Sequence, residues 1–343
     1  MIKIAVVILN WNGKHFLEKF LPSLIKYTDT SKAEIVVADS ASTDESMNFI
    51  RLNYPGIRTL QLDKNYGFAG GYNKALAQIE AEYYVLLNSD IEVTSGWLDP
   101  LEEFMDADQS VAACMPKIKD YNHPLRFEYA GAAGGFLDIL GYSFCRGRIY
   151  DTVEEDKGQY DYSSEVFWAT GACLFIRARL FNQSGGLDER FFAHMEEIDL
   201  CWRLKKMGFK IMYIPQSTVY HVGGGTLPQT NPFKTYLNFR NNLFLLYKNL
   251  PTIRLVITLV ARMALDGLSV IKFLLSRHYR DALAVLKAHL SFYAALSYLR
   301  KARRHTNSIS VCGGNGQTYK NSIVFNYFIL KRRTFNKIGF IRK

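Results

Sequence analysis

Ile4-Ala5-Val6-Val7-Ile8-Leu9-Asn10-Trp11-Asn12-Gly13 sets six apolar residues directly before a polar, turn-forming tetrad. Such a run has the length of a strand buried on both faces. It is too short for the apolar core of a signal peptide, and no small-residue cleavage site follows it. Similar runs recur at 34–38, 58–62 and 83–87, separated by helical patterns near 15–27, 44–53 and 69–80. Strand and helix alternating in this way predict a mainly parallel sheet covered on both faces, and therefore an α/β domain. Ligands of such sheets bind beyond the carboxyl ends of the strands. The candidate binding residues are accordingly those that follow each run: Asn10, Trp11 and Asn12; Asp39 and Ser40; Asn65 and Gly67; and Asn88, Ser89 and Asp90.

A further strand is expected at Val111–Pro116, followed by a loop-rich insertion or short hairpin over Asp120–Ser164, where Gly, Tyr and charged residues show no period. Order returns over Val166–Arg177, with helices near 178–184 and 196–207 and strands near 210–214 and 217–221. Beyond Pro232 the pattern is helical, with one more sheet signal at Ser322–Leu330. This divides the chain into an α/β unit over 1–232, with halves of about 1–117 and 118–232, and a helical region over 233–343.

The 343 residues are 48% apolar with a formal charge of +10, enough to build a core and too ordinary in charge content for disorder. The charge is uneven: residues 251–343 hold 17 Lys/Arg against Asp266 and Asp281 alone. A basic tail of this kind meets an anionic surface, and without a nucleic-acid motif the expected surface is membrane rather than nucleic acid. On a helical wheel Arg254, Arg262, Asp266, Lys272 and Arg277 form a basic edge beside a wide apolar face, so peripheral attachment to the inner leaflet is expected. The five cysteines are odd in number and contain no C-x-x-C pair, which points to a reducing, cytoplasmic setting.

Several clusters carry chemistry. Asp90, after an apolar strand, can hold a hard divalent cation against a diphosphate, although an Asp there is also an ordinary turn residue. Asp39 stands at a strand end where Thr43 or Asp44 caps the next helix, which leaves Asp39 free to accept a ligand hydrogen bond. Gly67-Phe68-Ala69-Gly70-Gly71 matches neither the dinucleotide fingerprint nor the P-loop, so a Rossmann dehydrogenase and a P-loop kinase are rejected. Glu196-Glu197-Ile198-Asp199 opens a helix. Acids favour such a position, and Asp199 can pair with Arg203 one turn on. Yet two adjacent glutamates beside Phe191, Phe192 and Met195 also suit a carboxylate tuned to act as a base. His221 precedes Val222-Gly223-Gly224-Gly225-Thr226, a glycine run suited to a loop beside a ligand.

Taken in order, Asn10-Trp11-Asn12-Gly13, Asp39-Ser40, Asn65-Tyr66-Gly67-Phe68-Ala69-Gly70-Gly71-Tyr72-Asn73, Leu87-Asn88-Ser89-Asp90, Thr170-Gly171-Ala172, Glu196-Glu197-Ile198-Asp199-Leu200 and His221 through Thr226 resemble family 2 glycosyltransferases. Within that family they are most similar to the bacterial rhamnosyltransferase-like branch. The likeness spans roughly residues 3–250. It departs from the wider family in two places: Asn88 stands at the first position of the usual Asp-x-Asp, and Glu196-Glu197 replaces a Glu-Asp pair.

The resemblance implies a GT-A fold and inverting transfer of a sugar, rhamnose among the candidates, from a dTDP- or UDP-linked donor. The acceptor would be a glycan or lipid-linked molecule of surface polysaccharide synthesis. By position, Asp39 binds the pyrimidine, and Asn73 joins the donor residues above. Asp90 and His221 hold Mg²⁺ or Mn²⁺, and Glu197 is the base with Glu196 as runner-up. Trp168, Gly171, Ala172 and Asp199 face the acceptor. Competing classes are a nucleotidyltransferase of similar fold, which would release pyrophosphate, and a non-catalytic membrane-associated binding module.

Overall fold

The computed structural model describes residues 2–223, 231–314 and 316–340. The strand–helix alternation of the first hundred residues is present as β1 (Ile2–Asn10), α1 (Lys14–Tyr27), β2 (Ala33–Asp39), α2 (Ser46–Asn53), β3 (Arg58–Gln61), α3 (Gly67–Leu76) and β4 (Ala81–Asn88). A short β5 (Ile91–Val93), α4 (Asp99–Ala107) and β6 (Val111–Asp120) follow. The central segments of β1 and β4 are buried without alternation, as strands covered on both faces must be.

Strands β1 to β4 are parallel neighbours in the order β3-β2-β1-β4, with α3 packed on β1 and β2 and α4 on β6. Strand order reverses at β1, so a crevice opens between the carboxyl ends of β1 and β4. Register brings Asn10 level with Asp39 and Leu9 level with Asn88 at that edge.

The 120–165 segment is more regular than a hairpin. It holds β7 (Gly135–Asp138), β8 (Ser143–Cys145), β9 (Arg148–Ile149) and β10 (Thr152–Val153), which join a late strand in a second, five-stranded sheet. Strands of two to four residues are too short to show a period in sequence. The chain returns to the large sheet through β11 (Ser164–Val166) and β12 (Cys173–Arg177), and continues as α5 (Ala178–Gln183), α6 (Glu196–Lys206) and β13 (Lys210–His221). The two strands expected at 210–214 and 217–221 are one strand. Its register shifts between Ile214 and Thr218, where Pro215 has no N–H to give to the ladder. Strand β12 runs antiparallel between β4 and β6, and β13 runs parallel to β6. The start of β12 and the end of β13 therefore arrive at the same edge as Asn88.

Helices α7 (Pro232–Asn249), α8 (Thr252–Leu275), α9 (Tyr279–Ala294) and α10 (Leu296–Ser308) complete the fold with β14 (Thr318–Tyr319), which pairs with β7. The sheet signal at 322–330 is wrong: Phe325–Ile329 form a π-helical turn, and the strand lies just before it. Leu243, Phe244, Leu245 and Leu246 of α7 enter the same hydrophobic core as the sheet. The wheel of α8 also needs correction. Arg262 and Asp266 are not on an exposed basic edge; they are buried against the body, where Arg262 donates to the Asn242 side chain at 2.6 Å and lies over the Tyr142 ring.

Candidate active site

Turn chemistry shapes the β1–β2 end of the edge. Asn12, at φ 51°, accepts the Thr43 amide on its side-chain oxygen at 2.7 Å, and Asn10 Nδ2 donates to Asp39 Oδ1 at 2.9 Å. Asp39 is not free, as the sequence suggested: it is fully buried, its Oδ1 accepts from Ser42 Oγ at 2.6 Å and its Oδ2 accepts the Ser42 amide at 2.9 Å. A carboxylate at the end of a strand closes an Asx turn on the residues after it. Neither Thr43 nor Asp44 is the helix cap: Glu45 holds that position without a side-chain bond, and Asp44, one residue earlier, accepts the Ser46 amide at 3.1 Å. Ser40 Oγ is buried without a partner beside Gly71, and Trp11 is exposed at the rim.

Asn65 accepts the Gly67 amide at 2.8 Å. Gly67, at φ +71°, lies so close under Phe192 that a Cβ would stand 2.5 Å from its ring. Asn73 lies further along α3, and its amide is spent on the Leu187 segment: Nδ2 donates to Leu187 O at 2.7 Å and Oδ1 accepts Leu187 N at 2.9 Å. It clasps α3 to that segment, and donor contact, expected from the resemblance, is not what its amide does here.

Strand β5 pairs antiparallel with the end of β13 and sets Asp90 beside His221. His221 Nε2 lies 3.1 Å from Asp90 Oδ1, and Nδ1 lies 3.2 Å from Glu128 Oε1 without the alignment of a full hydrogen bond. Burial disfavours the imidazolium, but Glu128 and Asp90 outweigh it and carry the His221 pKa up to about 10. Burial also opposes the Asp90 charge, yet His221 holds that carboxyl below its usual range. Glu128 escaped the sequence reading because it stands in the aperiodic segment. Gly223 is beside it, whereas Gly224, Gly225 and Thr226 lie outside the described residues.

The donor set suits a hard or borderline divalent ion: one carboxylate, one imidazole, and a second carboxylate able to orient the imidazole from behind. Among the described residues no three His, Cys, Asp or Glu side chains form a closed metal cage. A cation held here would draw its remaining ligands from a bound diphosphate, as is usual for cations bound against phosphates.

The acidic helix faces the same cleft. Gly171 sits between Phe68 and Glu197, where a Cβ would be 2.9 Å from the Phe68 ring and 3.7 Å from Glu197 Cβ. The next residue, Ala172, accepts the Asn88 amide at 2.9 Å. Glu197 is partly exposed with Oε2 unpartnered, and burial pushes its carboxyl up to about 7. Glu196 is more deeply buried, and burial and the charge of Glu197 raise its pKa well above the normal range. The preceding loop is strained, with Phe192, His194 and Met195 all at positive φ (66°, 69° and 74°). His194, also missed in sequence, is kept neutral by burial, which takes its pKa down to about 4.

Two expected acceptor residues are structural. Asp199 is fully buried, with Arg203 Nε at 2.9 Å, Lys248 Nζ at 2.8 Å and Asn249 Nδ2 at 2.8 Å. Burial opposes its charge, but Lys248 and Arg203 bring its carboxyl down to about 2. Trp168 packs face-on over Gly135 and donates its indole N–H to Phe136 O at 3.0 Å.

A doubly covered sheet with a carboxylate–imidazole pair at one strand edge and a tuned glutamate across the cleft defines a GT-A glycosyltransferase. The solved structures agree on the fold. S. aureus TarS 1-349 in complex with UDP-GlcNAc superposes with a TM-score of 0.56 at 16% identity over 93% of both chains. The mannosyltransferase PcManGT of Pyrobaculum calidifontis, in complex with GDP-Man and Mn²⁺, gives 0.52 at 14% identity, covering 85% of this chain and 87% of that one. Residues 5–181 match the profile of glycosyl transferase family 2, and the chain belongs to that family. The chain is 28% identical over 236 residues to the N-acetylglucosaminyl-diphospho-decaprenol L-rhamnosyltransferase of Mycobacterium tuberculosis, covering 64% of this chain and 75% of that protein.

Proposed function

We propose that this glycosyltransferase is metal-dependent and inverting. In this reading it moves a sugar, with rhamnose first among the candidates, from a dTDP- or UDP-linked donor to a lipid-linked or glycan acceptor of surface polysaccharide, at the cytoplasmic face of the membrane. The observation that carries the reading is the meeting of Asp90–His221 and Glu197 across Gly171-Ala172 at one sheet edge. The rhamnosyltransferase relative supports the sugar and the lipid-linked acceptor, and the UDP-GlcNAc and Mn²⁺ complexes of the structural neighbours support the donor class and the metal.

Asp90 and His221 would hold the cation, which supplies positive charge to the departing diphosphate. Asp39 and Asn12 fix the turn over 40–44 against which the pyrimidine end of the donor rests. Glu197, the partly exposed member of the acidic pair, takes the acceptor proton as the hydroxyl attacks C1. The deeper burial of Glu196 favours Glu197 as the member of the pair that carries the charge.

The test is release of nucleoside diphosphate from a panel of pyrimidine-nucleotide sugars with purified Glu197→Gln and Glu196→Gln. A positioned carboxylate contributes roughly 10²–10⁴-fold to such proton transfers. Glu197→Gln is expected to lose about that much turnover with donor binding intact. Turnover surviving in both variants refutes the mechanism, and pyrophosphate as the product refutes sugar transfer.

A further inference from the structure

Helix α8 is built inside out. Its Arg262 and Asp266 are 3% and 1% exposed, while Ile253, Ile257 and Leu275 are 87%, 72% and 82% exposed. Helix α9, packed beside it, repeats the pattern: Ala282, Val285 and Ala288 face the body, and Leu283, Leu286 and Leu290 face out. A helix bordering water shows the opposite arrangement, and isolated surface leucines do not line up in stripes on two adjoining helices. The charge nearby has one sign. Arg254, Lys272, Arg277, Arg280 and Lys287 are exposed, whereas the only acids after residue 250 are Asp266, which is buried, and Asp281, which accepts from Thr235 Oγ1 at 2.6 Å.

We propose that the α8–α9 hairpin is the docking surface for an anionic phospholipid bilayer. This rests on the membrane-face reading above and extends it by naming the surface. Both helices lie along the interface, with their apolar stripes among the upper acyl chains and the basic side chains at the headgroups. The buried Arg262 and Asp266 hold α8 to the catalytic body, so docking fixes the cleft relative to the bilayer. No single helix among the described residues is long and apolar enough to cross a membrane. The bent pair α9–α10 meets length and composition only together, at 66°. Because one face of α9 is already packed on the protein, a surface-lying arrangement fits it better than a crossing one.

Flotation of the full-length protein with phosphatidylcholine vesicles containing phosphatidylglycerol, against pure phosphatidylcholine, tests the surface. Binding is expected to the anionic vesicles and to fall with salt. Arg277→Gln and Lys287→Gln should each weaken it roughly fivefold, and Ile257→Glu with Leu286→Glu by about tenfold or more. These side chains are exposed, so circular dichroism should be unchanged. The proposal is overturned if the wild type fails to float, if the glutamate variants float as well as it does, or if sedimentation shows the stripes buried in a dimer that ignores vesicles. Sugar transfer to a water-soluble acceptor, measured in parallel, should be unaffected by these variants. Its absence in the wild type would count against the transferase reading and leave the vesicle result standing.

Discussion

Asn241 offers the sharpest test of how the base is held. Fully buried on α7, its Nδ2 faces the carbonyls of Phe191, Ala193 and His194 at 2.9, 2.8 and 2.8 Å. These carbonyls belong to the loop in which Phe192, His194 and Met195 have positive φ, immediately before Glu196 and Glu197. Each such backbone conformation costs about 1 kcal/mol or more in a non-glycine residue, and something must oppose that cost. Two N–H bonds give a net of about 1 kcal/mol each, and a carbonyl left unpaired in the interior costs about 1–3 kcal/mol. Asn241→Leu therefore removes roughly 3 kcal/mol or more from the loop, enough to let it relax. A shift of about 1 Å at a reacting group costs on the order of 10²-fold in rate. The expected result is kcat reduced by about 10–100-fold, with donor affinity by calorimetry within a few-fold of wild type. Asn241→Gln, which keeps the NH₂, should restore part of the rate, and Asn241→Asp, which has the shape without the donors, should not. If folded Asn241→Leu turns over within threefold of wild type, or loses donor affinity in step with kcat, Asn241 does not position the base.

Because burial raises the Glu197 carboxyl to about 7, turnover should fall about tenfold per unit as pH drops below 7 and level off above it. An acid limb near the ordinary glutamate value of 4.5 would assign the base elsewhere. The same raised pKa means that this group's contribution to stability falls as pH rises from 4.5 to about 7, because the unfolded chain ionises first. Asp199 is opposite in sign: its stabilisation is present above about 4 and is lost as pH falls toward 2. Asp199→Asn leaves the buried Arg203 without its carboxylate partner and Lys248 with Asp188 alone, and should cost about 3–5 kcal/mol in urea unfolding while acceptor KM stays unchanged. Glu128→Gln should weaken Mn²⁺ binding in the presence of UDP by about 10–100-fold, by calorimetry, if Glu128 orients His221 from behind.

Local pattern alone determined most of the α/β frame. Apolar runs such as Ile4–Leu9 and Tyr83–Leu87 have no other stable use than strands covered on both faces, and the polar residues that follow them had to gather at one edge. Asp90, His221 and the Glu196-Glu197 pair stood out as candidates from their places relative to those strands and the helix start, while the roles proposed for them came from the family resemblance. Tertiary structure decided which polar residues face the cleft, because a side chain's partners are set by segments far away in sequence. Asp199 is claimed by Lys248, 49 residues on; Asn73 by Leu187, 114 residues on; and Asp39 by Asn10, 29 residues before it, in addition to its own turn. Glu128 and Asn241 matter only through contacts at separations of 93 and about 50 residues, which no local motif encodes. The wheel of α8 placed Arg262 and Asp266 on one edge with Arg254, Lys272 and Arg277, but could not tell that the body would split that edge: Asn242 and Tyr142 offered partners for Arg262, so Arg262 and Asp266 turned inward while the other three cations and the apolar stripe were left outside.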